Sequence, residues 1–481
     1  MRVGLEQIPE AGRLALAALA ELAGAQPIWI VGGTLRELLS DGPIADLDLA
    51  VAGHALELGR RLADRLDASF VVLDQARGAG RIVPRVDGGA VDLVDLRAAT
   101  LEADLRARDF TVNALAVPVT ELLRAGSAPI VDATGGLDDL RERVVRPCGP
   151  AAISDDPVRA LRGVRLALRP GWTLHPAAEA AIRAAAPLLP QAAAERIRDE
   201  LVGILAAPAA AVGLRALDRL GVLVALLPES LPMRATAQPL PHHFDVWEHS
   251  LRAVEGIDAL LADLDALAPW GPALRGHLAL DLGGGVTRRE ALKLAGLLHD
   301  VAKPETRSDV GGRIRFIGHD AAGARRVAGI AERLRLSRHA AQVTERLVAE
   351  HLRPMHLAQA GLITRRARFR FFRALGDEAR DLLLLALADA AALTGASPLT
   401  VWTGPGGEVV RTLMAGADEE AAAAAAPALL RGEDVMEAFG MPAGPEIGRL
   451  LALAREAQAL GLVRTRAEAL AHVRREMGSG T

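Results

Sequence analysis

The chain has 481 residues, 51% hydrophobic and 24% charged, which is enough apolar material for roughly three domains and excludes a mainly disordered protein. Its net charge of −4 gives no general attraction to nucleic acid or to an anionic membrane, so binding a polyanion would need a local basic surface. The single cysteine excludes an intrachain disulfide, and the absence of tyrosine excludes a mechanism that needs a tyrosine hydroxyl.

Three features predict a cytoplasmic protein that has no membrane as a partner. The lone Cys148 fits a reducing compartment. The N-terminal segment reads as a helix with acidic residues rather than as a signal peptide. The most apolar run, residues 382–393, is interrupted by Asp389 and is too short to cross a bilayer.

The pattern of elements changes along the chain. Between Ile28 and Val117, short apolar strands alternate with helical stretches, which is typical of an α/β domain with a mixed sheet. After Pro147 the strand signals vanish, and apolar residues recur at helical spacing. Proline-rich and glycine-rich breaks divide this helical part. We predict a head, a helical neck, a second helical domain and a helical tail, with the boundaries 1–149, 150–230, 231–415 and 416–481.

A glycine turn near the start of the α/β region is a candidate phosphate site. A strand ends at Val31, Gly32 and Gly33 make the turn, and a helix is predicted to begin near Thr34. The first backbone N–H groups of a helix have no partner within the helix, so a phosphate could bind there.

Carboxylates in the next two strands form a candidate metal site. Asp46 and Asp48 are two residues apart, so in a strand both side chains face the same side. Magnesium prefers carboxylate oxygens together with substrate phosphates. Asp92 is the natural third acid, and Asp95 should face the opposite side of its strand. Taken alone, the Asp46–Asp48 pair could also be a solvated strand edge.

Four ordered motifs resemble those of the class II tRNA nucleotidyltransferase and poly(A) polymerase family, which has a polymerase-β-type head. The motifs are WIVGGTLRELL (29–39) with ADLDLAV (45–51), RARDFTVNALAV (106–117), VDATGGLDDLRERVVRP (131–147) and SDDPVRALRGVRLAL (154–168). The resemblance covers residues 28–205, and residues 432–451 are similar to the C-terminal segment of the family. It implies an α/β nucleotidyltransferase head followed by helical domains, and transfer of a nucleotide to an RNA 3′ end.

The resemblance also implies roles for individual residues. Asp46, Asp48 and Asp92 would be the catalytic acids, with Mg²⁺ held by Asp46 and Asp48. The nucleotide-binding residues would be Gly32, Gly33, Arg36, Arg108, Asp109, Asn113, Asp156, Arg159 and Arg162. Two positions depart from the family pattern, because Glu37 replaces an aspartate and Ala107 replaces an arginine. For Arg108 and Asp109 the alternative is a structural ion pair.

Asp156 and Arg159 carry the implied choice of base. Cytosine and adenine both present an amino donor beside a ring-nitrogen acceptor, whereas uracil and guanine present the reverse. A carboxylate and a guanidinium therefore accept C and A and reject U and G. The alternative, which is compatible, is a helix N-terminus with Ser154 as the cap and Pro157 near the start.

Arginines along the predicted neck helices are candidates for RNA binding. Arg165 and Arg169 continue the helix that contains Arg162, and Arg196 and Arg198 follow in the next helical segment. Together they predict a local basic surface for tRNA phosphates. The alternative is an ordinary solvated face.

The segment between Asp92 and Arg108 is short. These residues lie 16 positions apart, whereas family members that add a complete CCA end usually carry a long flexible segment there. Its loss resembles the enzymes that add only the two cytidines. A processive poly(A) polymerase is also less favoured.

A histidine pattern in the second helical domain resembles the HD phosphohydrolase superfamily. The segments are HHFDVWEHSL (242–251), LAGLLHDVAKPETR (294–307), FIGHDAAGARR (316–326), VAEHLRP (348–354) and LLLLALADAA (382–391). The resemblance implies a divalent metal of the Mn, Ni, Fe or Mg class. Its ligands would be His249, His299, Asp300 and Asp389. A second ion or a substrate phosphate could be held by His319, Asp320 and His351, with Lys303 neutralising phosphate charge.

The predicted function is template-independent nucleotidyl transfer from CTP, with ATP as a second candidate, to the 3′ end of tRNA. The enzyme would be CCA-adding or CC-adding, and its HD domain is a candidate phosphohydrolase. Three alternatives stay open: an HD-type phosphohydrolase with a degenerate head, a poly(A) polymerase, and a non-catalytic tRNA-binding protein. The sequence makes no prediction of oligomeric state.

Overall fold

A computed structural model describes residues 1–40, 42–85 and 89–478, with residues 418–425 described by their backbone alone. The chain divides into two compact units. Unit 1 contains Met1–Ile204 and Ala216–Leu226, and unit 2 contains Leu205–Arg215 and the residues from Leu227 onward. Within the described ranges, no helix combines the length and the apolar character that crossing a bilayer requires.

Strands and helices are interspersed in the first 145 residues, and the sequence predicts this mixture between Ile28 and Val117. In chain order the elements are β1 (Arg2–Gly4), α1 (Glu10–Ala23), β2 (Ile28–Val31), α2 (Gly32–Leu39), β3 (Leu47–Val51), α3 (Ala55–Arg65), β4 (Ser69–Asp74), β5 (Ala79–Val83), β6 (Val91–Asp95), α4 (Leu101–Arg106), β7 (Leu115–Pro118), α5 (Val119–Ala125), β8 (Ser127–Pro129), β9 (Val131–Asp132), α6 (Gly136–Glu142) and β10 (Val144–Val145).

A mixed sheet with the strand order β4-β5-β6-β3-β2-β7-β9 forms the centre of unit 1. β3 and β6 are parallel, and the other neighbouring strands are antiparallel. Leu47, Leu49 and Val51 of β3 are buried in the main core with residues of α1 and α3. Because side chains alternate along a strand, Asp48 must face the other side of the sheet. The predicted α/β head with a mixed sheet is confirmed.

Helices dominate the rest of the chain. The elements are α7 (Arg159–Ala167), β11 (Thr173–Leu174), α8 (Pro176–Ala185), α9 (Ala194–Ala206), α10 (Ala210–Arg219), α11 (Val222–Leu226), α12 (Ser230–Arg234), α13 (Val246–Ala262), α14 (Gly271–Leu278), α15 (Arg288–Leu298), α16 (Lys303–Thr306), β12 (Arg307–Val310), β13 (Arg313–Phe316), α17 (His319–Arg333), α18 (Arg338–Glu350), α19 (Arg353–Gln359), α20 (Arg365–Leu375), α21 (Glu378–Thr394), α22 (Pro398–Thr403), α23 (Glu408–Ala425), α24 (Gly432–Phe439), α25 (Pro445–Ala459) and α26 (Arg466–Gly478).

The helical prediction is confirmed, with two local exceptions in the described residues that the sequence analysis did not anticipate. The first is the two-residue strand β11, which pairs with β10, and the second is a hairpin. β12 and β13 form an antiparallel hairpin around Gly311 and Gly312, both of which have positive φ angles. Glycine adopts this left-handed conformation without steric cost, which allows the tight reversal. The hairpin lies between α16 and α17, next to the histidine-rich part of unit 2.

Apolar packing joins two groups of helices in the described part of unit 2. α13, α15 and α21 pack together, and α21 is buried along most of its length because leucines occupy nearly every side of its first half. α15 begins with a capping box in which Thr287 and Glu290 bond each other's backbone N–H groups. α24, α25 and α26 enclose a separate small core around Val435, Leu450 and Val473.

Candidate functional site

The glycine turn brings the start of α2 against a carboxylate. α2 begins at Gly32, two residues before the predicted start, and Gly32 has φ +65°. The Oδ2 atom of Asp48 accepts a hydrogen bond from the backbone N–H of Thr34 at 3.2 Å. A Cβ atom at Gly32 or Gly33 would lie 3.0 Å from that oxygen, so glycine permits the close approach at both positions.

The three predicted acids lie at neighbouring positions. Asp48 and Asp92 are paired residues of the parallel strands β3 and β6, so their side chains leave the sheet side by side. Asp46 immediately precedes β3 instead of lying within it, and its Oδ1 accepts from Ala90 N at 3.1 Å. Asp95 faces the other side, as predicted, and accepts from Ala55 N at the start of α3.

Arg81 of β5 joins two of these acids and was missed by the sequence analysis. Its Nε donates to Asp92 Oδ1 at 2.8 Å and its Nη2 donates to Asp92 Oδ2 at 2.8 Å. The same Nη2 also reaches Asp46 Oδ2 at 3.3 Å. Burial raises the pKa of Asp48, and the charge of Asp92 adds to this rise. Three crowded carboxylates favour a cation among them, and oxygen ligands of this kind fit a hard divalent metal ion.

A cavity of about 390 Å³ opens beside Asp48 and Asp92 in unit 1. It is lined by most of the predicted nucleotide-binding residues. They are Gly32, Gly33, Arg108, Asp109, Asn113, Asp156, Arg159 and Arg162. Two unpredicted arginines, Arg77 and Arg97, also line the cavity, together with Arg196. Asp46 and Arg36 do not, although Arg36 contacts Asn113.

The second motif forms two separate ion pairs. Arg108 lies 2.9 Å from Asp104 in α4, and Asp109 pairs with Arg162 of α7 at 3.1 Å. Asp109 also accepts from the side chain of Asn113 at 3.2 Å. Arg108 and Asp109 therefore each form a structural ion pair, which agrees with the alternative, although neither is the partner of the other. Burial would raise the pKa of Asp109, but the charge of Arg162 and the hydrogen bonds lower it to about 2.

This arrangement predicts a pH-dependent loss of stability when Asp109 is replaced by asparagine. The folded pKa of about 2 lies below the reference value of 3.8, so the charged carboxylate stabilises the fold above about pH 4. We expect Asp109→Asn to lower the free energy of unfolding by about 2 kcal/mol at pH 7, with a smaller loss as the pH falls toward 2. Denaturant unfolding at several pH values measures both effects.

The matched control for this prediction is Asp138→Asn. Asp138 is an exposed aspartate of α6 that pairs with its helical neighbour Arg141 at 2.7 Å. We expect a change of less than about 0.5 kcal/mol there, because exposed ion pairs contribute little. A loss at Asp109 that stays constant between pH 7 and pH 3 would contradict the ionic origin of the effect.

The two predicted base-reading residues lie next to each other. Arg159 is the first residue of α7, and its Nη1 donates to the backbone oxygens of Ala152 and Arg108 at 2.9 and 3.3 Å. Its Nε lies 3.7 Å from Asp156. The alternative of a Ser154 helix cap is wrong, because Ser154 Oγ donates to Ala151 O and α7 begins only at Arg159.

The predicted basic surface of the neck is a network of ion pairs. Glu200 accepts from both Arg162 and Arg165, each at 2.7 Å. Arg169 contacts Glu37, Arg196 donates to Asp156 at 2.6 Å and Arg198 donates to Asp199 at 2.7 Å. Each of these arginines therefore has an acidic partner, and their role as a basic surface for tRNA phosphates stays a prediction.

The segment between Asp92 and Arg108 is filled by regular structure. β6 continues to Asp95, and α4 occupies residues 101–106, with Thr100 as its N-cap. Arg97 lies between them, and its backbone N–H donates to Asp104. This confirms that no long flexible segment lies between β6 and the second motif.

The HD-like histidines and acids of unit 2 form two adjacent groups. One group contains His249, His299 and Asp389, and the other contains Asp300, His319 and His351. In each group the candidate ligand atoms lie within 4.8 Å of one another. The six residues lie within or at the ends of five helices, α13, α15, α17, α18 and α21. Each group could hold one metal ion.

Asp300 lies between the two groups. Its Oδ2 is 3.2 Å from His299 Nε2, and its Oδ1 is 3.3 Å from His319 Nε2 and 3.6 Å from His351 Nε2. Lys303 Nζ lies 2.6 Å from Asp300. Although burial would raise the pKa of Asp300, the charges of His299 and Lys303 hold it well below its usual value. The predicted Asp320 belongs to neither group and lines the neighbouring cavity.

Three of the histidines are oriented by backbone carbonyls. The Nδ1 atoms of His299, His319 and His351 lie 2.9, 2.6 and 2.7 Å from the oxygens of Gly296, Phe316 and Val348. When the Nδ1–H of a histidine donates to a backbone carbonyl, its Nε2 carries a lone pair that can bind a metal ion. A carbonyl in this position is a usual second contact of a metal-bound histidine. A cavity of about 670 Å³ opens beside Asp300, Lys303 and His351 and has a mainly apolar wall.

Family models match three parts of the chain. Residues 84–146 match the poly A polymerase head domain, and residues 171–233 match the probable RNA and SrmB-binding site of polymerase A. Residues 246–394 match the HD domain.

Full-length relatives are similar over nearly the whole chain. An A-adding tRNA nucleotidyltransferase from Deinococcus radiodurans is 36% identical over 93% of this chain and 94% of that protein. A CC-adding tRNA nucleotidyltransferase from Thermus thermophilus is 35% identical over 92% of both chains. One from Geobacter sulfurreducens is 32% identical over 92% of this chain and 90% of that protein.

Solved structures share the fold at low sequence identity. The Thermotoga maritima CCA-adding enzyme complexed with tRNA aligns over 99% of both chains with a TM-score of 0.60 and 18% identity. A complex of a CCA-adding enzyme with CTP aligns over 99% of both chains with a TM-score of 0.63 and 19% identity.

Proposed function

The chain belongs to the tRNA nucleotidyltransferase and poly(A) polymerase family, and we propose that it transfers cytidylate from CTP to the 3′ end of tRNA without a template. The observation that carries the proposal is the cavity of unit 1, where two carboxylates of adjacent parallel strands meet the residues predicted to bind the nucleotide. Poly(A) polymerase activity is less favoured, because the full-length relatives above are named for tRNA.

Asp46, Asp48 and Asp92 would act at the reacting phosphate. Asp46 and Asp48 would hold Mg²⁺, with Asp92 as the third acid, and bound Mg²⁺ would lower the pKa of the attacking 3′-hydroxyl and neutralise charge on the phosphates. The start of α2 would face the triphosphate with its N–H groups. The paired arrangement of Asp48 and Asp92 supports this assignment.

Asp156 and Arg159 would select the base. The carboxylate would accept from the amino group of cytosine, and the guanidinium would donate to the ring nitrogen. The two backbone oxygens that bind Arg159 hold its side chain at the cavity wall. Adenine offers the same two groups, so ATP is the second nucleotide that this pair admits.

The remaining predicted residues would position the phosphates of both substrates. Arg36, Arg108, Asp109, Asn113 and Arg162 surround the nucleotide side of the site in this proposal. Arg165, Arg169, Arg196 and Arg198 would bind tRNA phosphates by exchanging their present acidic partners for phosphate oxygens. The division into a head (1–149), neck (150–230), HD domain (231–415) and tail (416–481), and a cytoplasmic location, are parts of the same proposal.

We expect CTP addition that stops after two cytidines. The short segment between β6 and the second motif supports this restriction, whereas the relatives include both A-adding and CC-adding enzymes. The test is incubation with labelled CTP or ATP and three tRNAs, which lack CCA, end in C or end in CC. We expect CTP incorporation into the first two and no ATP incorporation into the third.

Each outcome of this incubation has a clear meaning. Efficient ATP addition to the CC end would overturn the restriction and leave nucleotidyl transfer in place. If neither CTP nor ATP is incorporated into any of the three tRNAs, with intact protein and Mg²⁺ present, the proposed function itself is contradicted.

The second candidate function is phosphoester hydrolysis in unit 2. The observation that favours it is the pair of adjacent ligand groups, which Asp300 connects by its contact with His299, beside a cavity large enough for a nucleotide-sized ester. His249, His299, Asp300 and Asp389 would hold a metal ion of the Mn, Ni, Fe or Mg class, and His319 and His351 would add to a second one. Metal ions bound there would activate water toward a phosphate ester such as a 2′,3′-cyclic phosphate.

A further inference from the structure

Arg81 binds both carboxylate oxygens of Asp92 and one of Asp46 at the proposed metal site. Arg81 and Asp92 are directly opposite each other in the antiparallel strands β5 and β6. The guanidinium engages both oxygens of Asp92 at 2.8 Å and one oxygen of Asp46 at 3.3 Å. An arginine that binds a carboxylate through two parallel N–H donors makes one of the stronger charge-assisted contacts in proteins.

The position of this side chain differs from that of a structural ion pair buried in a core. The Arg81 side chain is 38% exposed, so the guanidinium can leave its partners without entering an apolar region. Asp48 is the residue paired with Asp92 across β3 and β6, so it adds further negative charge beside the guanidinium. Arg81 is therefore held by the combined charge of the three acids, and a divalent cation would be held by the same charge.

We propose that Arg81 is an exchangeable counter-cation of the carboxylate site. In the nucleotide-free protein it neutralises and orients Asp92 and Asp46. A divalent metal ion that binds these acids must take their oxygens from the guanidinium, so the metal and Arg81 compete. This inference concerns a residue outside the family motifs and rests on the assignment of Asp46, Asp48 and Asp92 in the proposed function.

Competition has a consequence that a purely structural role would not have. Removing a partner that only supports Asp92 would weaken metal binding, because the carboxylate would lose its orientation. Removing a competitor strengthens metal binding. We expect Arg81→Met to raise the affinity of the nucleotide-free protein for Mn²⁺ about tenfold, a size that matches the net contribution of a charged hydrogen-bonded pair. The Mn²⁺ affinity of Arg81→Lys should lie between those of the original protein and Arg81→Met, because lysine lacks the two parallel N–H donors of arginine.

The experiment is a titration of the full-length protein with Mn²⁺, in which free Mn²⁺ is followed by electron paramagnetic resonance. All variants carry His299→Ala and Asp300→Asn, so that the second unit does not contribute binding. Arg85→Met is the matched control, because it removes the same charge from an arginine that is 67% exposed and pairs with Asp67 instead of the three acids. Thermal unfolding checks that each variant is folded.

The outcomes separate competition from support. Tighter Mn²⁺ binding in Arg81→Met but not in Arg85→Met supports the proposal, and adding Asp92→Asn should remove that gain. Equal or weaker binding in Arg81→Met than in Arg85→Met overturns it. Because the titration contains no nucleotide, its result is independent of the tRNA incubations, so the failure of this inference and the failure of the proposed function can be told apart.

Discussion

Replacing Asp46 with alanine is expected to abolish CTP incorporation into tRNA while leaving phosphoester hydrolysis unchanged. Asp46 lies beside β3, where its carboxylate would bind the metal ion that assists attack on the α-phosphate. Loss of such a ligand should reduce the rate by at least about a thousandfold. Single-turnover incorporation of labelled CTP measures this effect, and Asp46→Asn tests whether the charge or the shape of the side chain is needed.

The exposed Asp138→Asn variant serves as the control for charge, since Asp138 lies on α6 and has no place in the proposed site. It should retain full incorporation. An Asp46→Ala protein that incorporates CTP at the wild-type rate would rule out the carboxylate assignment.

Replacing His299 with alanine should have the opposite effect: hydrolysis should be lost and CTP incorporation retained. His299 is buried at the end of α15, and its Nε2 faces both Asp300 and Asp389 at 3.2 and 3.5 Å. Without this imidazole the first ligand group loses one of its three members, so bound metal and hydrolysis of a nucleoside 2′,3′-cyclic phosphate should fall at least about a hundredfold. CTP incorporation should stay within about twofold of the wild type, a margin that leaves room for small packing effects.

Metal content by mass spectrometry accompanies this assay. The control is His339→Ala, a histidine of α18 that belongs to neither ligand group. Hydrolysis that survives in His299→Ala at the wild-type rate would show that the reaction takes place elsewhere.

The sequence predicts the head well wherever short apolar runs are clear. β2, β3 and β6 stand out in this way, and they place Asp48 and Asp92 correctly on one side of the sheet. β5 does not stand out, because Gly80 lies within its five residues and Gly78 and Pro84 flank it. Arg81 was missed for the same reason. Its pairing with Asp92 can be inferred only when β5 is recognised as a strand beside β6.

Ion pairs between distant residues are the second limit of the sequence reading. Arg169 and Glu37 are separated by 132 positions, and Arg196 and Asp156 by 40. Nothing local marks these partners, so the sequence predicts only a local basic surface and not the acidic partners of its arginines. The HD-like histidines were easier to find, because each lies in a short recognisable segment, although their division into two groups depends on how α15, α17, α18 and α21 pack.

The position of Asp300 between two ligand groups limits what a single substitution can reveal. Any change at Asp300 removes a contact from both groups at once, so it cannot assign an activity to either ion. Asp389 and His351 each belong to one group only. Variants at these two residues are therefore the informative pair, and filling one group should alter the affinity of the other through the carboxylate that they share.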